Sequence, residues 1–320
     1  MSSIQEMGVQ FIQYLQTFHP QLDGVMGFFA ILVKPEYFLV FVFPVLYWNF
    51  GHRFFIKLII VILADILIGE SLRILLAQPR PWWIAEMVPI DAVTSVYSSP
   101  AGYSSFSVLF FGYIAYHLKR RWVTLTCFFI IIATSIAKLY EAATLLDHLL
   151  LGSIQGGIIL YLFIKYGDKV TDMWIKLKKN KAVFYCLLIG VGVYTITYLI
   201  TLLQTTYDLP TYIIKYKIIP SDRLANGATG FVTGFLISSL LSLRDQKFNH
   251  LYSKLNVKLW KRILVTIVGL FVVFLLFTII RTTLINLFNN DFIIGTINLL
   301  IALIVGFWIY FYVPKFLNKE

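Results

Sequence analysis

The sequence predicts an all-α membrane protein, a polytopic bundle of about nine spanning helices, and two observations support this prediction. Hydrophobic residues make up 59% of the 320 residues and charged residues only 13%, whereas about 25% of a typical soluble domain is charged. The apolar residues also fall into repeated runs, and a spanning helix needs roughly 20 mainly apolar residues. A soluble fold of this length cannot bury so much apolar surface, so a bilayer is the expected surrounding.

The order of the apolar runs divides the chain into three parts. Residues 4–18 alternate apolar side chains with Gln, which is typical of an amphipathic helix on a membrane surface, and a short apolar piece follows at 24–33. We therefore expect a surface helix at 1–23, a first membrane domain at 24–165 and a membrane extension at 166–320. The predicted spans are 37–49, 54–76, 104–118, 122–139, 145–165, 182–203, 223–243, 262–284 and 292–313.

The positive charges predict the orientation of these spans. The net charge is +11, and 19 of the 27 Lys and Arg residues fall in alternate connections between the apolar runs. The positive-inside rule places those connections and the C-terminus in the cytoplasm of a bacterial-type plasma membrane. The loops around 79–103 and 138–146 then face the extracytoplasmic side. Because the charges are spread between spans rather than gathered in one basic domain, they indicate topology and not nucleic-acid binding.

The only concentration of plausible chemistry lies on that outer side, in three polar stretches. The first runs from Arg73 to Pro81 and holds two arginines near the end of a span. Arginine near hydrocarbon is costly unless it is paired, and such a residue is a functional hypothesis by default. A structural ion pair between Arg73 and Glu70, which lies three residues away, is the alternative explanation.

The second and third stretches supply a turn and a helix start. Ser98–Ser105 is a turn of small residues before a helix, which suits either an anion site at backbone N–H groups or an ordinary helix cap. In the third stretch Lys138 ends one span, and Thr144 and His148 begin the next, one helical turn apart. A buried histidine that only packs or forms hydrogen bonds is the alternative for His148. No metal-ligand cluster, nucleotide loop or haem motif occurs, so we expect neither a metal nor a cofactor.

Taken together and in this order, the three stretches resemble the motifs of the type 2 phosphatidic acid phosphatase family of membrane lipid phosphatases. The family motifs are Lys-x6-Arg-Pro, Pro-Ser-Gly-His and Ser-Arg-x5-His-x3-Asp. The resemblance covers roughly residues 25–165, so this part would be a phosphatase-like core and the later spans an extension. The matching positions are Arg73, Arg80 and Pro81 for the first motif, Pro100 to Tyr103 for the second, and Lys138, Thr144 and His148 for the third.

The resemblance assigns roles to these positions. In the family, the third-motif His attacks phosphorus, its Asp orients that His, and the second-motif His protonates the leaving alcohol. Here those catalytic positions hold Thr144, His148 and Tyr103, so all three family residues are replaced. One positioned acid or base contributes about 10²–10⁴-fold to a rate. The phosphate-binding positions stay cationic, as Arg73, Arg80 and Lys138, and Gly102 still offers a backbone donor.

These departures favour a degenerate, lipid-phosphatase-like protein that binds a phosphorylated lipid without hydrolysing it. The resemblance implies a polyisoprenyl phosphate or a phosphatidate-like lipid as the partner, with no nucleic acid. Whether the chain is an enzyme stays open, because His148 could itself attack phosphorus with help from Asp147. A lipid transporter or flippase is a third hypothesis, suggested by the extra spans and by a faint repeat between 147–152 and 222–227.

Overall fold

The computed structural model describes residues 3–34, 38, 42–50, 52–90, 97–204, 222–244, 259–280, 283, 287–288 and 291–314. Helices and the turns between them make up this part of the chain, which holds no strand, and the all-α prediction is confirmed for it. The helices are α1 (Ser3–Gln16), α2 (Asp23–Ile31), α3 (Phe43–Phe50), α4 (His52–Leu76), α5 (Pro81–Ile84), α6 (Gly102–Leu118), α7 (Arg121–Tyr140), α8 (Leu146–Lys176), α9 (Lys179–Gln204), α10 (Asp222–Arg244), α11 (Leu259–Phe274) and α12 (Asp291–Phe307).

Three helical stretches of the described residues are long and apolar enough to cross a membrane: Arg121–Tyr140, Leu146–Lys176 and Ile293–Tyr312. Gly230–Ser242 and Ile263–Phe277 are apolar but shorter. Helices thus form where the spans are predicted, while the count of nine spans and their orientation stay predictions. The outer face of α7 exposes large apolar side chains, as expected of a surface that meets lipid: Leu125, Phe128, Phe129 and Ile132.

Three residues with a left-handed backbone conformation lie just after helix ends. Ala77 follows α4 with φ 47°, Lys119 follows α6 with φ 50°, and Ala142 lies two residues beyond α7 with φ 52°. Glycine is the usual residue at such positions, because a Cβ disfavours this conformation. Two of these residues, Ala77 and Ala142, lie within the first and the third polar stretch.

The chain divides into two compact units. Unit 1 comprises Met1–Pro35, Ile68–Leu162 and Leu199–Asp222, and unit 2 comprises Glu36–Leu67, Phe163–Tyr198 and Arg223–Glu320. The predicted domain boundaries at 23/24 and 165/166 stay predictions.

Unit 1 contains all three polar stretches. In it α6 packs along α7, and α2 and α1 also pack against α7. The apolar side of α1 closes a core around the α7–α8 connection, formed by Val9, Ile12, Trp82, Trp83, Leu139, Ala142, Leu145 and Leu149.

Two glycines of α8 allow close packing within unit 1. A Cβ at Gly152 would collide with the backbone carbonyl of Ala101, and a Cβ at Gly156 would collide with that of Ser105. The start of α8 therefore lies directly on the backbone that leads into α6. Small residues four apart let membrane helices approach closely, and Gly152 and Gly156 do so here.

Unit 2 also has close helix packing at two glycines. A Cβ at Gly230 or Gly234 would collide with the backbone of Gly295 or Leu299 on α12. Its core also contains polar groups, for the hydroxyls of Ser239 and Tyr310 lie 2.6 Å apart and both are buried. Small residues and interhelical hydrogen bonds are typical of helix contacts in membranes.

Candidate functional site

Backbone hydrogen bonds join the three polar stretches within unit 1. The amide of Ser98 donates to the carbonyl of Gln78 at 3.0 Å, which ties the second stretch to the first. The amide of Ala101 donates to the carbonyl of His148 at 3.0 Å, which ties the second stretch to the third. Segments that are distant in the sequence therefore converge on one place.

Arg73 lies in the last turn of α4 beside the glycine of the second stretch. Its NH1 donates to Oε1 of Glu70 at 2.6 Å, and the two side chains are 16% and 14% exposed. A Cβ at Gly102 would lie 2.7 Å from the other terminal nitrogen of Arg73, NH2. The guanidinium thus rests against the Gly102 backbone, and the ion pair that sequence analysis gave as the alternative is formed.

Arg80 is buried and reaches the connection between α7 and α8. Its NH1 donates to the carbonyl of Ala143 at 2.9 Å, and the hydroxyl of Ser98 donates to the same carbonyl at 3.4 Å. The left-handed turn at Ala142 comes immediately before this carbonyl. The residue next to Ala143 is Thr144, so Arg80 lies at the loop that carries the family nucleophile position.

Lys138 lies in the last turn of α7 and is only 2% exposed. Its Nζ donates to Oε2 of Glu141 at 2.6 Å, and the ring of Tyr103 lies over the same Nζ at 4.3 Å from its centroid. The position of the family general acid is therefore filled by an aromatic ring that forms a cation–π contact with a lysine of the site.

Thr144 is buried and has only long polar contacts among the described residues. The Ser98 hydroxyl donates to its Oγ1 at 3.3 Å, and Oγ1 donates to the carbonyl of Leu145 at 3.4 Å. The hydroxyl lines a small cavity within unit 1. The other residues that line this cavity are Ala101, Tyr103, Ser104, Thr134, Ser135, Lys138 and Leu149.

His148 is 1% exposed, and its ring nitrogens have no hydrogen-bond partner among the described residues. The nearest carboxylate is that of Asp147, with Oδ2 at 3.8 Å from Nε2, and Arg80 also acts electrostatically on the ring. His148, Arg73 and Arg80 are not among the described residues that line the cavity, whereas Thr144, Tyr103 and Lys138 are.

The first turn of α6 also bears on the predicted anion site. Its N-cap residue is Ala101, which provides no side-chain cap hydrogen bond. The amides of Ser104 and Ser105 both donate to the Ala101 carbonyl, at 3.0 and 3.1 Å. The alternative that the serines act as an ordinary side-chain cap at this position therefore does not hold.

Glu141 is the partner of Lys138 in the structure, a role that was not predicted. Their spacing in the sequence could have predicted this pair, because side chains three residues apart on a helix are neighbours. The Ala143 carbonyl and the Ser98 hydroxyl were also missed, and no sequence signal identifies them.

In the part of the chain that the structure describes, no three His, Cys, Asp or Glu residues lie together as a metal site requires.

The three motif segments thus lie together within one compact unit of the chain. Residues 54–172 match the model of the PAP2 superfamily, and this range contains every motif residue. The predicted resemblance to the type 2 phosphatidic acid phosphatase family is therefore confirmed for this segment, which is less than half of the chain. No curated protein and no solved structure matches the chain.

Proposed function

We propose that the protein binds the headgroup of a phosphorylated lipid on the extracytoplasmic side of a plasma membrane, without hydrolysing it. Arg73, Arg80 and Lys138 would hold the phosphate oxygens, and Gly102 would offer a backbone donor. The observation that supports this proposal is that each of the three cations contacts the second or the third motif segment. Arg73 rests on Gly102, the neighbouring Tyr103 covers Lys138, and Arg80 binds the loop before Thr144.

The energetics of the site support binding of an anion. Charge-assisted hydrogen bonds contribute about 1.5–3 kcal/mol each, and they are roughly twice as strong as neutral ones. Arg80 and Lys138 are buried and Arg73 is mostly buried, so water competes weakly with a ligand there. A lipid phosphate that reaches the site would exchange part of its hydration for these fixed donors.

The contacts of Thr144 and Tyr103 support the absence of hydrolysis. A hydroxyl becomes a nucleophile only when an adjacent base takes its proton. The Oγ1 of Thr144 donates instead to the carbonyl of Leu145, at 3.4 Å. Tyr103, at the general-acid position, packs its ring on the ammonium of Lys138.

Lipid binding by the purified protein tests the proposal. The probes are short-chain phosphatidate, a polyisoprenyl phosphate and phosphatidylglycerol, each titrated against the protein in detergent. We expect Arg80→Ala to weaken binding about tenfold or more, because one charge-assisted bond is lost. Arg120→Ala is the matched control, since Arg120 is exposed in the turn between α6 and α7. Failure to bind every probe, or equal binding by Arg80→Ala, would refute the proposal.

An active phosphatase is a second candidate, and the state of His148 favours it. The ring nitrogens have no hydrogen-bond partner among the described residues, and Arg80 and Asp147 both act on the ring. In this candidate a ring nitrogen of His148 attacks phosphorus while Arg80 holds the phosphate oxygens, and the bond from phosphorus to the lipid oxygen breaks so that the lipid leaves as its alcohol. Water then hydrolyses the phosphohistidine and releases inorganic phosphate. Release of inorganic phosphate from phosphatidate or the polyisoprenyl phosphate, lost in His148→Ala but kept in Arg120→Ala, would establish it. If none of these lipids releases inorganic phosphate, the phosphatase candidate is refuted and the binding function remains.

A further inference from the structure

Two of the three proposed phosphate-binding cations already hold a carboxylate from their own helix end. Glu70 precedes Arg73 by three residues and Glu141 follows Lys138 by three, and each pair has an N–O distance of 2.6 Å. The Lys138–Glu141 pair is 2% and 8% exposed, and the Arg73–Glu70 pair is 16% and 14% exposed. The two pairs are therefore built into local helix geometry and are shielded from solvent.

These carboxylates change the charge that a ligand meets. Arg73 and Lys138 are paired with Glu70 and Glu141, and a third carboxylate, Asp147, has its Oδ2 at 3.8 Å from Nε2 of His148, on which Arg80 acts electrostatically. Cations and carboxylates are thus equal in number among these described residues. A phosphate oxygen that shares the N–H donors of Lys138 or Arg73 must also lie near the carboxylate bound there. Since Coulomb energy depends on every charge within a few ångströms, a second negative charge on the ligand gains little.

We propose that Glu70 and Glu141 are specificity-determining residues, which make the site select a lipid phosphodiester with one negative charge over a phosphomonoester with two. The proposal rests on the proposed function, because it concerns the ligand of the same site. The donors would bind the phosphate group in either case. The carboxylates would oppose the second charge.

The test compares two lipids that differ in phosphate charge. At pH 8 a phosphomonoester carries close to two charges, since its second pKa is about 6, whereas a phosphodiester carries one. Short-chain phosphatidate and phosphatidylglycerol are titrated against the purified full-length protein, and inorganic phosphate is a third probe that separates a lipid ligand from free phosphate. We expect the unsubstituted protein to bind phosphatidylglycerol at least as tightly as phosphatidate, and to bind inorganic phosphate weakly.

Removing either carboxylate should reverse this preference. We expect Glu141→Gln and Glu70→Gln each to raise the affinity for phosphatidate relative to phosphatidylglycerol by about tenfold. Glu86→Gln makes the same change of charge at an exposed residue outside both pairs, and we expect it to leave the ratio unchanged. Glu141→Asp keeps the charge and should keep the preference for the phosphodiester.

The outcomes separate this inference from the proposed function. An unchanged affinity ratio in both Gln variants, with binding still lost in Arg80→Ala, would overturn the inference and leave the proposed function standing. Loss of all lipid binding in the unsubstituted protein would overturn both. Tight binding of inorganic phosphate, equal to that of the lipids, would refute a lipid ligand. If Glu141→Gln does not fold, the more exposed Glu70→Gln decides the question by itself.

Discussion

At the residue scale, the site differs from a simple cluster of cations, because each charged group has a fixed neighbour. Lys138 lies between the carboxylate of Glu141 and the ring of Tyr103, and Arg73 lies between Glu70 and the backbone of Gly102. Such contacts lower the cost of placing charge at the end of a membrane helix. Under the proposed function, they would also hold the donors in place for a ligand.

Gly102 provides a test of the contact with Arg73. In Gly102→Ala the new Cβ would lie 2.7 Å from the Arg73 guanidinium, the far end of a flexible side chain that can move aside. We expect little change in melting temperature but weaker binding of phosphatidylglycerol, by about tenfold, as one charge-assisted contact is displaced. Gly27→Ala is the control, because nothing lies within 4 Å of a Cβ there. Equal binding by both variants would contradict the placement of Arg73 in the site.

Lys138 and Glu141 provide a test of the buried pair. Breaking a buried ion pair leaves one uncompensated charge and costs about 3–5 kcal/mol. We therefore expect Lys138→Met to lower the free energy of unfolding by about that amount. The double variant Lys138→Met, Glu141→Met should recover most of the loss, and denaturant unfolding of both proteins measures it. If the double variant is no more stable than Lys138→Met, the loss of stability does not come from the unpaired carboxylate of Glu141.

At the element scale, the position of α8 decides whether the site assembles. Its first residues supply Asp147 and His148, and Gly152 and Gly156 bring it onto the backbone of Ala101 and Ser105. The helix also runs to Lys176, well past the predicted end of the span at 165. Charged residues mark where hydrocarbon ends, but they do not end a helix, which explains the difference.

Gly156 and Gly157 form a matched pair for testing this contact. A Cβ at Gly156 would collide with the backbone of Ser105, whereas nothing lies within 4 Å of a Cβ at Gly157. Since overpacking typically costs about 1–3 kcal/mol, we expect Gly156→Ala to lower the melting temperature and weaken lipid binding. Gly157→Ala should be neutral or slightly stabilising, because alanine favours a helix over glycine. Equal melting temperatures for the two variants would contradict the close packing.

The first helix is a second element that the site depends on. The side-chain Nε2 of Gln16 donates to the backbone carbonyls of Val88 at 2.7 Å and Tyr140 at 3.0 Å, and its side-chain Oε1 accepts from the backbone amide of Val88 at 3.1 Å. Ile12 is fully buried in the same core as Leu145. The predicted surface helix thus buries Val9 and Ile12 in unit 1, while Ile4, Met7, Phe11 and Tyr14 on α1 and Phe18 beyond its end are exposed.

At the scale of the whole molecule, membrane orientation is the property that most affects function. The count of Lys and Arg predicts a cytoplasmic C-terminus and a site on the opposite side. A fluorescent protein fused after Glu320, which folds only in the cytoplasm, should therefore fluoresce. Alkaline phosphatase fused at the same point should be inactive. The reverse pattern would place the site in the cytoplasm and remove the extracytoplasmic part of the proposal.

The additional helices of the chain lie beyond the segment matched by the family. That segment ends at residue 172, and the hypothesis of lipid transport rests on the helices after it. Residues 205–221, which contain Lys215 and Lys217, and residues 245–258 lie outside the described residues. The side chains of Asp222 and Asn226, which belong to the predicted repeat, are also outside the description. The transport hypothesis stays a prediction.

The sequence by itself determined the helical class, the resemblance of residues 54–172 to the family, and which positions align with its motifs. Each of these follows from composition, from apolar runs or from motif spacing, all of which are local in the chain. The tertiary structure decided which groups meet: Arg80 with the Ala143 carbonyl, Tyr103 with Lys138, and Gly152 with Ala101. Such pairings depend on how helices pack and where left-handed turns redirect the chain, and neither is encoded in the spacing of a motif.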